Sequence, residues 1–95
     1  MIDPDRVLRL AQCMPDEDRW LLDLRYGIRY GVHSTHEIAR IYRVTRARAR
    51  QMLEASERRL WLAVADEHAT ADDVCEALIA GIVRRRAGVA DCREN

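Results

Sequence analysis

Between Ser34 and Leu60, two helical apolar patterns are separated by only three residues, Arg43-Val44-Thr45. Two helices joined by so short a turn must cross and pack on each other, which restricts this stretch to a helix-turn-helix unit. Ser34 opens the first helix, with Glu37 three residues on, so that each side chain can satisfy the other residue's backbone N–H. Ile38, Ala39, Ile41 and Tyr42 supply its apolar side. Thr45 caps the second helix, and a turn of about 100° per residue puts Ala49, Met52, Leu53, Ser56 and Leu60 on one side. The other side carries Ala47, Arg50, Gln51, Glu54 and Arg58, and the helix continues into Trp61-Leu62-Ala63-Val64. Ala39 is small where the second helix must pass close by. Ile38, Tyr42, Val44, Ala49 and Met52 fall where the unit needs apolar contacts. One position departs from the pattern: Arg43 holds the turn site where Gly is favoured for its positive φ.

The rest of the chain is also helical in pattern. Asp3 as cap and Pro4 at the first helical position start a helix carrying Val7, Leu8, Leu10, Ala11 and Met14, which Pro15 stops. Asp16, Glu17 and Asp18 suit the positive end of a second helix, with Trp20, Leu21 and Leu24 as its buried stripe and Gly27 as its stop. Residues 27–34 hold two glycines and no stripe, so they read as a loop. Thr70, with Asp73 three residues on, caps a last helix whose stripe is Val74, Leu78 and Ile82, widened by Cys75, Ala77 and Ile79. Arg84-Arg85-Arg86 suits the negative end of that helix, and Gly88 is expected to close it. The expectation is an all-α domain of about five helices with a central helix-turn-helix and an extra C-terminal helix. Residues 1–65 would form the helix-turn-helix domain. Residues 66–95 would pack on it or form a dimer interface, of which dimerisation is the preferred alternative.

Net charge is zero, but its distribution is not even. Residues 1–35 carry five Arg and six acids, residues 36–60 seven Arg and three acids, and residues 61–95 four Arg and seven acids. Positive charge therefore concentrates on the helix-turn-helix, the footprint of a local DNA-contacting element. All 16 basic residues are Arg, a planar donor suited to phosphates and guanine edges. Three cysteines, Cys13, Cys75 and Cys92, are too few and too scattered for a disulfide framework. His33 and His36 lack the further ligands of a zinc set, so no metal or cofactor is expected. There is no Gly-rich phosphate loop and no nucleophile placed with a base, which argues against an enzyme. No apolar run approaches the roughly 20 residues that span a bilayer, and the start lacks a secretory pattern. A cytoplasmic protein without membrane contact is expected.

Residues Met14 to about Leu60 resemble the promoter-reading fourth region of bacterial RNA polymerase sigma factors. Met14-Pro15-Asp16-Glu17-Asp18 is similar to that family's Leu-Pro-Glu-Arg-Glu, and Leu24-Arg25-Tyr26-Gly27 to its Leu-Arg-Tyr-Gly, with Gly31 at the family's spacing. Glu37-Ile38-Ala39 looks like its Glu-Ile-Ala. Val44-Thr45-Arg46-Ala47-Arg48-Ala49-Arg50-Gln51-Met52 resembles Val-Thr-Arg-Glu-Arg-Val-Arg-Gln-Ile. The blocks align without a gap. The resemblance implies that the helix from Thr45 enters the major groove of promoter or operator DNA. It implies that Arg46, Arg50 and Gln51 contact bases or adjacent phosphates, and that Arg48, Arg58 and Arg59 are candidates for phosphates. Ala47 replaces a Glu that the family uses in base reading, implying a different or looser preference. Glu57 stands where the family has a core Leu. Nothing here matches the family's promoter-melting parts, so the resemblance implies a stand-alone relative.

Two functions follow as alternatives. The first is a sequence-specific transcription regulator whose DNA-contacting residues are Thr45, Arg46, Ala47, Arg48, Arg50, Gln51, Glu54 and Arg58. The second is a sigma-domain mimic or adaptor that binds RNA polymerase or an anti-sigma partner with little DNA binding. Trp20, Tyr26, Tyr30, Tyr42 and Trp61 are scattered over different helices and read as core or boundary aromatics. The Arg84–Arg86 run reads as a solvated helix face.

Overall fold

In the computed structural model, which describes residues 2–94 and the side chains of residues 2–87, the regular structure is helical throughout. The helices are α1 (Pro4–Gln12), α2 (Asp16–Tyr26), α3 (Thr35–Tyr42), α4 (Arg46–Val64) and α5 (Ala71–Glu94). Local chemistry sets most of the boundaries. Asp3 caps α1 by accepting from the Asp5 N–H at 3.0 Å, with Pro4 behind it in the first turn. Gly27 ends α2 in the left-handed region at φ 70°, where an added Cβ would lie 2.9 Å from Val32 Cγ2 and 3.0 Å from the Tyr30 carbonyl oxygen. Thr70 and Asp73 cap α5 reciprocally, the Asp73 N–H donating to Thr70 Oγ1 at 3.1 Å and the Thr70 N–H to Asp73 Oδ2 at 2.9 Å. Gly88 does not close α5, which runs to Glu94. A single glycine costs a helix about 1 kcal/mol, too little to end it alone. Cys92 lies outside the residues whose side chains are described.

Two apolar clusters hold the helices. The larger joins Val7, Leu8 and Ala11 of α1, Leu22 of α2, Leu60 and Val64 of α4, Ala69, and Val74, Ala77, Leu78 and Ile82 of α5. The smaller joins Leu21 of α2, Ile38 and Ala39 of α3, and Ala49 and Leu53 of α4, with Leu24, Tyr42, Val44 and Met52 packed around it. Adjacent residues Leu21 and Leu22 thus face different clusters, and α2 is the wall between them. Each fully buried Leu, Ile or Val contributes roughly 1.5–3 kcal/mol.

The expected stripes are departed from on three helices, and on α2 this double duty is the reason. Leu22 joins Leu21 inside, whereas Trp20 is 53% exposed. Ile41 of α3 and Ile79 of α5 also face outward, at 54% and 49% exposure. The apolar face of α5 is therefore narrower than its sequence suggests, and its centre is taken up by the core that it shares with α1. At Gly81 the two helices come so close that a Cβ would sit 2.5 Å from the Pro4 carbonyl oxygen. Arg6 adds a link, its Nη1 donating to the Val64 carbonyl at 3.0 Å. Among the described residues no helix is long and apolar enough to cross a membrane.

Candidate nucleic-acid interface

The helix-turn-helix is built from its caps outward. Ser34 Oγ accepts from the Glu37 N–H at 3.1 Å, and the Ser34 N–H donates to Glu37 Oε1 at 2.9 Å, which fixes where α3 begins. That pairing holds the Glu37 carboxyl below the usual carboxylate range, through the Ser34 backbone first and its side chain second. Arg43 ends α3 in the left-handed region at φ 58°, ψ 47°. The Val44 N–H reaches the Ala39 carbonyl at 3.0 Å and the Arg43 N–H the Arg40 carbonyl at 3.3 Å, the two bonds of a Schellman closure. An Arg therefore does the conformational work expected of Gly, at a cost of roughly 1–2 kcal/mol. Thr45 restarts the chain, its Oγ1 accepting from the Arg48 N–H at 3.1 Å and its carbonyl from the Ala49 N–H at 2.9 Å.

Ala49 and Leu53 are drawn into the smaller cluster against Ile38, Ala39 and Leu21. The opposite face of α4 is therefore turned to solvent. Thr45, Arg46, Ala47, Arg48, Arg50 and Gln51 are all exposed on the cap and first two turns. The first turn of α4 contains no acidic residue, and Arg46, Arg48 and Arg50 form no ion pair among the described residues. Cations at a helix start oppose its dipole, by about 0.3–1 kcal/mol each at the surface. Three guanidiniums thus stand at the start of α4 without an ion-pair partner among the described residues. Arg40, in the last turn of α3, and Arg43, in the turn, are also exposed beside them. Arg40 drew no attention in the sequence, where the only signal was the local excess of Arg.

The remaining candidates separate into two kinds. Glu54 and Arg58 are exposed further along α4, where they line a groove shared with the start of α5 and with Tyr26 and Trp61. Arg59, proposed with Arg58 as a phosphate contact, is instead engaged within the protein. Its Nε donates to Asp18 Oδ2 at 2.8 Å and its Nη2 to Asp18 Oδ1 at 2.5 Å, while Ser56 Oγ donates to the same Oδ1 at 2.7 Å. Asp18 is 4% exposed, and these partners, led by Arg59, hold its carboxyl below the ordinary range against the opposing effect of burial. The acid that looked like a helix-start residue is a buried brace between α2 and α4.

Glu57 is accommodated at its core-like position by hydrogen bonding. The Tyr26 hydroxyl donates to Glu57 Oε2, and Cys75 Sγ lies 3.6 Å from the same oxygen. Burial, first among the causes, pushes both the Tyr26 hydroxyl and the Cys75 thiol above their usual values. Asp23, 6% exposed, organises the loop before α3 by accepting from the Arg29 N–H at 2.8 Å. His33 closes that loop through its N–H to the Leu24 carbonyl at 2.8 Å. His33 and His36 belong to no group of three or more metal-ligating side chains among the described residues. Comparison of the chain with protein-family models, with curated proteins and with solved structures found no match.

Proposed function

We propose that the chain is a DNA-binding transcription regulator of the sigma-region-four type, reading promoter or operator DNA with the N-terminal half of α4 in the major groove. The observation that carries this is the group of three exposed guanidiniums, without an ion-pair partner among the described residues, with Gln51 on the first two turns of a helix whose other face is locked into the smaller cluster. Such a helix presents the donors that base edges require: Arg50 suits the two acceptors of guanine, and Gln51 suits adenine. Arg46, Arg48 and Thr45 lie where a helix start meets phosphates, which would reverse the unfavourable dipole interaction of the cations. The Ala47 methyl suits a thymine methyl, Glu54 a cytosine amino group, and Arg58 a flanking phosphate. The function needs no cofactor and belongs to the cytoplasm.

A second reading has one observation in its favour. Trp20 and Ile41 stand exposed on α2 and α3 in a chain of zero net charge, which suits docking on RNA polymerase or an anti-sigma partner. Titration of promoter and operator fragments, with wild type and Arg50→Ala/Gln51→Ala at two salt concentrations, separates the two. Sequence-selective binding that falls steeply with salt and is lost in the double variant supports the regulator. Weak binding unaffected by the substitutions sinks it in favour of the protein-docking reading.

A further inference from the structure

The Arg84–Arg86 run, which the DNA-reading surface does not use, takes on a specific placement in the fold. Steps of four residues join Val74, Leu78 and Ile82 along the face of α5 that is buried in the larger cluster. A further step of four lands on Arg86, so the face that packs on the core ends in a cation, with Arg84 and Arg85 exposed beside it. Past Ile82, α5 continues beside α1. There Asp5, Leu8, Arg9, Gln12, Arg84 and Arg85 line an open groove of about 380 Å³.

The charges do not balance. Arg84 approaches Asp5 at 3.5 Å, and Arg9 and Arg85 have no ion-pair partner among the described residues. Among the described residues, three guanidiniums against one carboxylate leave the groove with an excess of two positive charges. The third member of the run does not share in this: Arg86 turns away and donates from Nη2 to the Gly27 carbonyl at 2.7 Å. Guanidiniums gathered from two helices, with the Gln12 amide beside them and an apolar floor at Leu8, match the several oxygens of a phosphate.

We infer that the groove between α1 and the end of α5 is a phosphate-binding site, separate from the DNA-reading face of α4, with Arg9 and Arg85 as its principal donors. Its ligand is the phosphate group of either a free polyphosphate-bearing small molecule or a DNA backbone. Binding to the native state raises thermal stability by mass action. The test uses the full chain, Arg9→Gln/Arg85→Gln, and a control of equal charge loss, Arg19→Gln/Arg25→Gln, which lines no part of the groove.

Thermal melts with millimolar sodium tripolyphosphate, against sodium chloride at matched ionic strength, address the free ligand. A rise in Tm for wild type and the control that is lost in Arg9→Gln/Arg85→Gln identifies a free phosphate ligand. The log–log salt slope of binding to a DNA fragment addresses the backbone. A slope lower by about 1–2 in the groove variant only, with sequence preference kept, identifies DNA phosphates as the ligand. Equal responses of the groove and control variants in both assays would overturn the site. The tripolyphosphate arm reads the groove even if α4 proves to bind no DNA, so the two proposals fail separately.

Discussion

Replacing Arg59 by Ala separates a brace from a DNA contact. The Asp18 side chain is 5% exposed and the Arg59 side chain 51%, so the pair is buried on one side and wet on the other. Removing the guanidinium deletes two charge-assisted hydrogen bonds and leaves the carboxylate with Ser56 alone among the described residues. Breaking a fully buried pair costs roughly 3–5 kcal/mol. Water entering on the open side of Arg59 lowers that to about 2 kcal/mol, near the value of a hydrogen bond to a charged group. In a domain of this size the loss is a fall in Tm on the order of 10 °C. Urea unfolding at pH 7, followed by far-ultraviolet circular dichroism, measures it. The neighbouring Arg58→Ala should stay within about 0.5 kcal/mol of wild type while weakening DNA binding. The acid limb adds a second readout. Because the folded Asp18 carboxyl titrates below the unfolded value of about 3.9, its stabilisation is complete above that pH and is lost as the pH falls through the folded value. The gap between wild type and Arg59→Ala should therefore close below about pH 4. An Arg59→Ala protein as stable as wild type at pH 7, or a gap indifferent to acid, would refute the brace.

Two backbone positions give further tests by the same denaturation assay. Arg43→Gly should stabilise the protein by about 0.5–1 kcal/mol, since Gly accepts φ 58° without the strain of a Cβ; a loss of stability would mean that the Arg43 side chain holds the turn. Gly81→Ala should destabilise by roughly 1–3 kcal/mol, because its methyl would meet the Pro4 carbonyl and force α1 from α5. An unchanged midpoint would show that the two helices part at little cost.

The sequence revealed most where structure is local. Asp3, Ser34 with Glu37, Thr45, and Thr70 with Asp73 act within three residues of themselves, so their spacing alone located four helix starts. The exposed face of α4 followed from period and composition in the same way. What the sequence hid depends on partners far along the chain. Asp18 looks like any acid in a first helical turn, and its role appears only when α4, some 40 residues later, brings Ser56 and Arg59 to it. Leu22 was missed because one helix facing two clusters has no single stripe. Trp20 and Ile41 were placed inside by residue type, but packing left them outside. At Gly88 the propensity penalty was real and simply too small.

The division of the core into unequal clusters bears on dynamics. Five buried residues hold α3 and the start of α4, against eleven that unite α1, α5 and the end of α4. Opening the smaller set need not disturb the larger, so α3 can exchange its amide hydrogens through a partial unfolding well below the global barrier. A ligand bound to α4 only while the smaller set is closed makes that excursion rarer by mass action. Ligand-dependent protection in α3, with little change in α1, is the signature such a coupling leaves in exchange data.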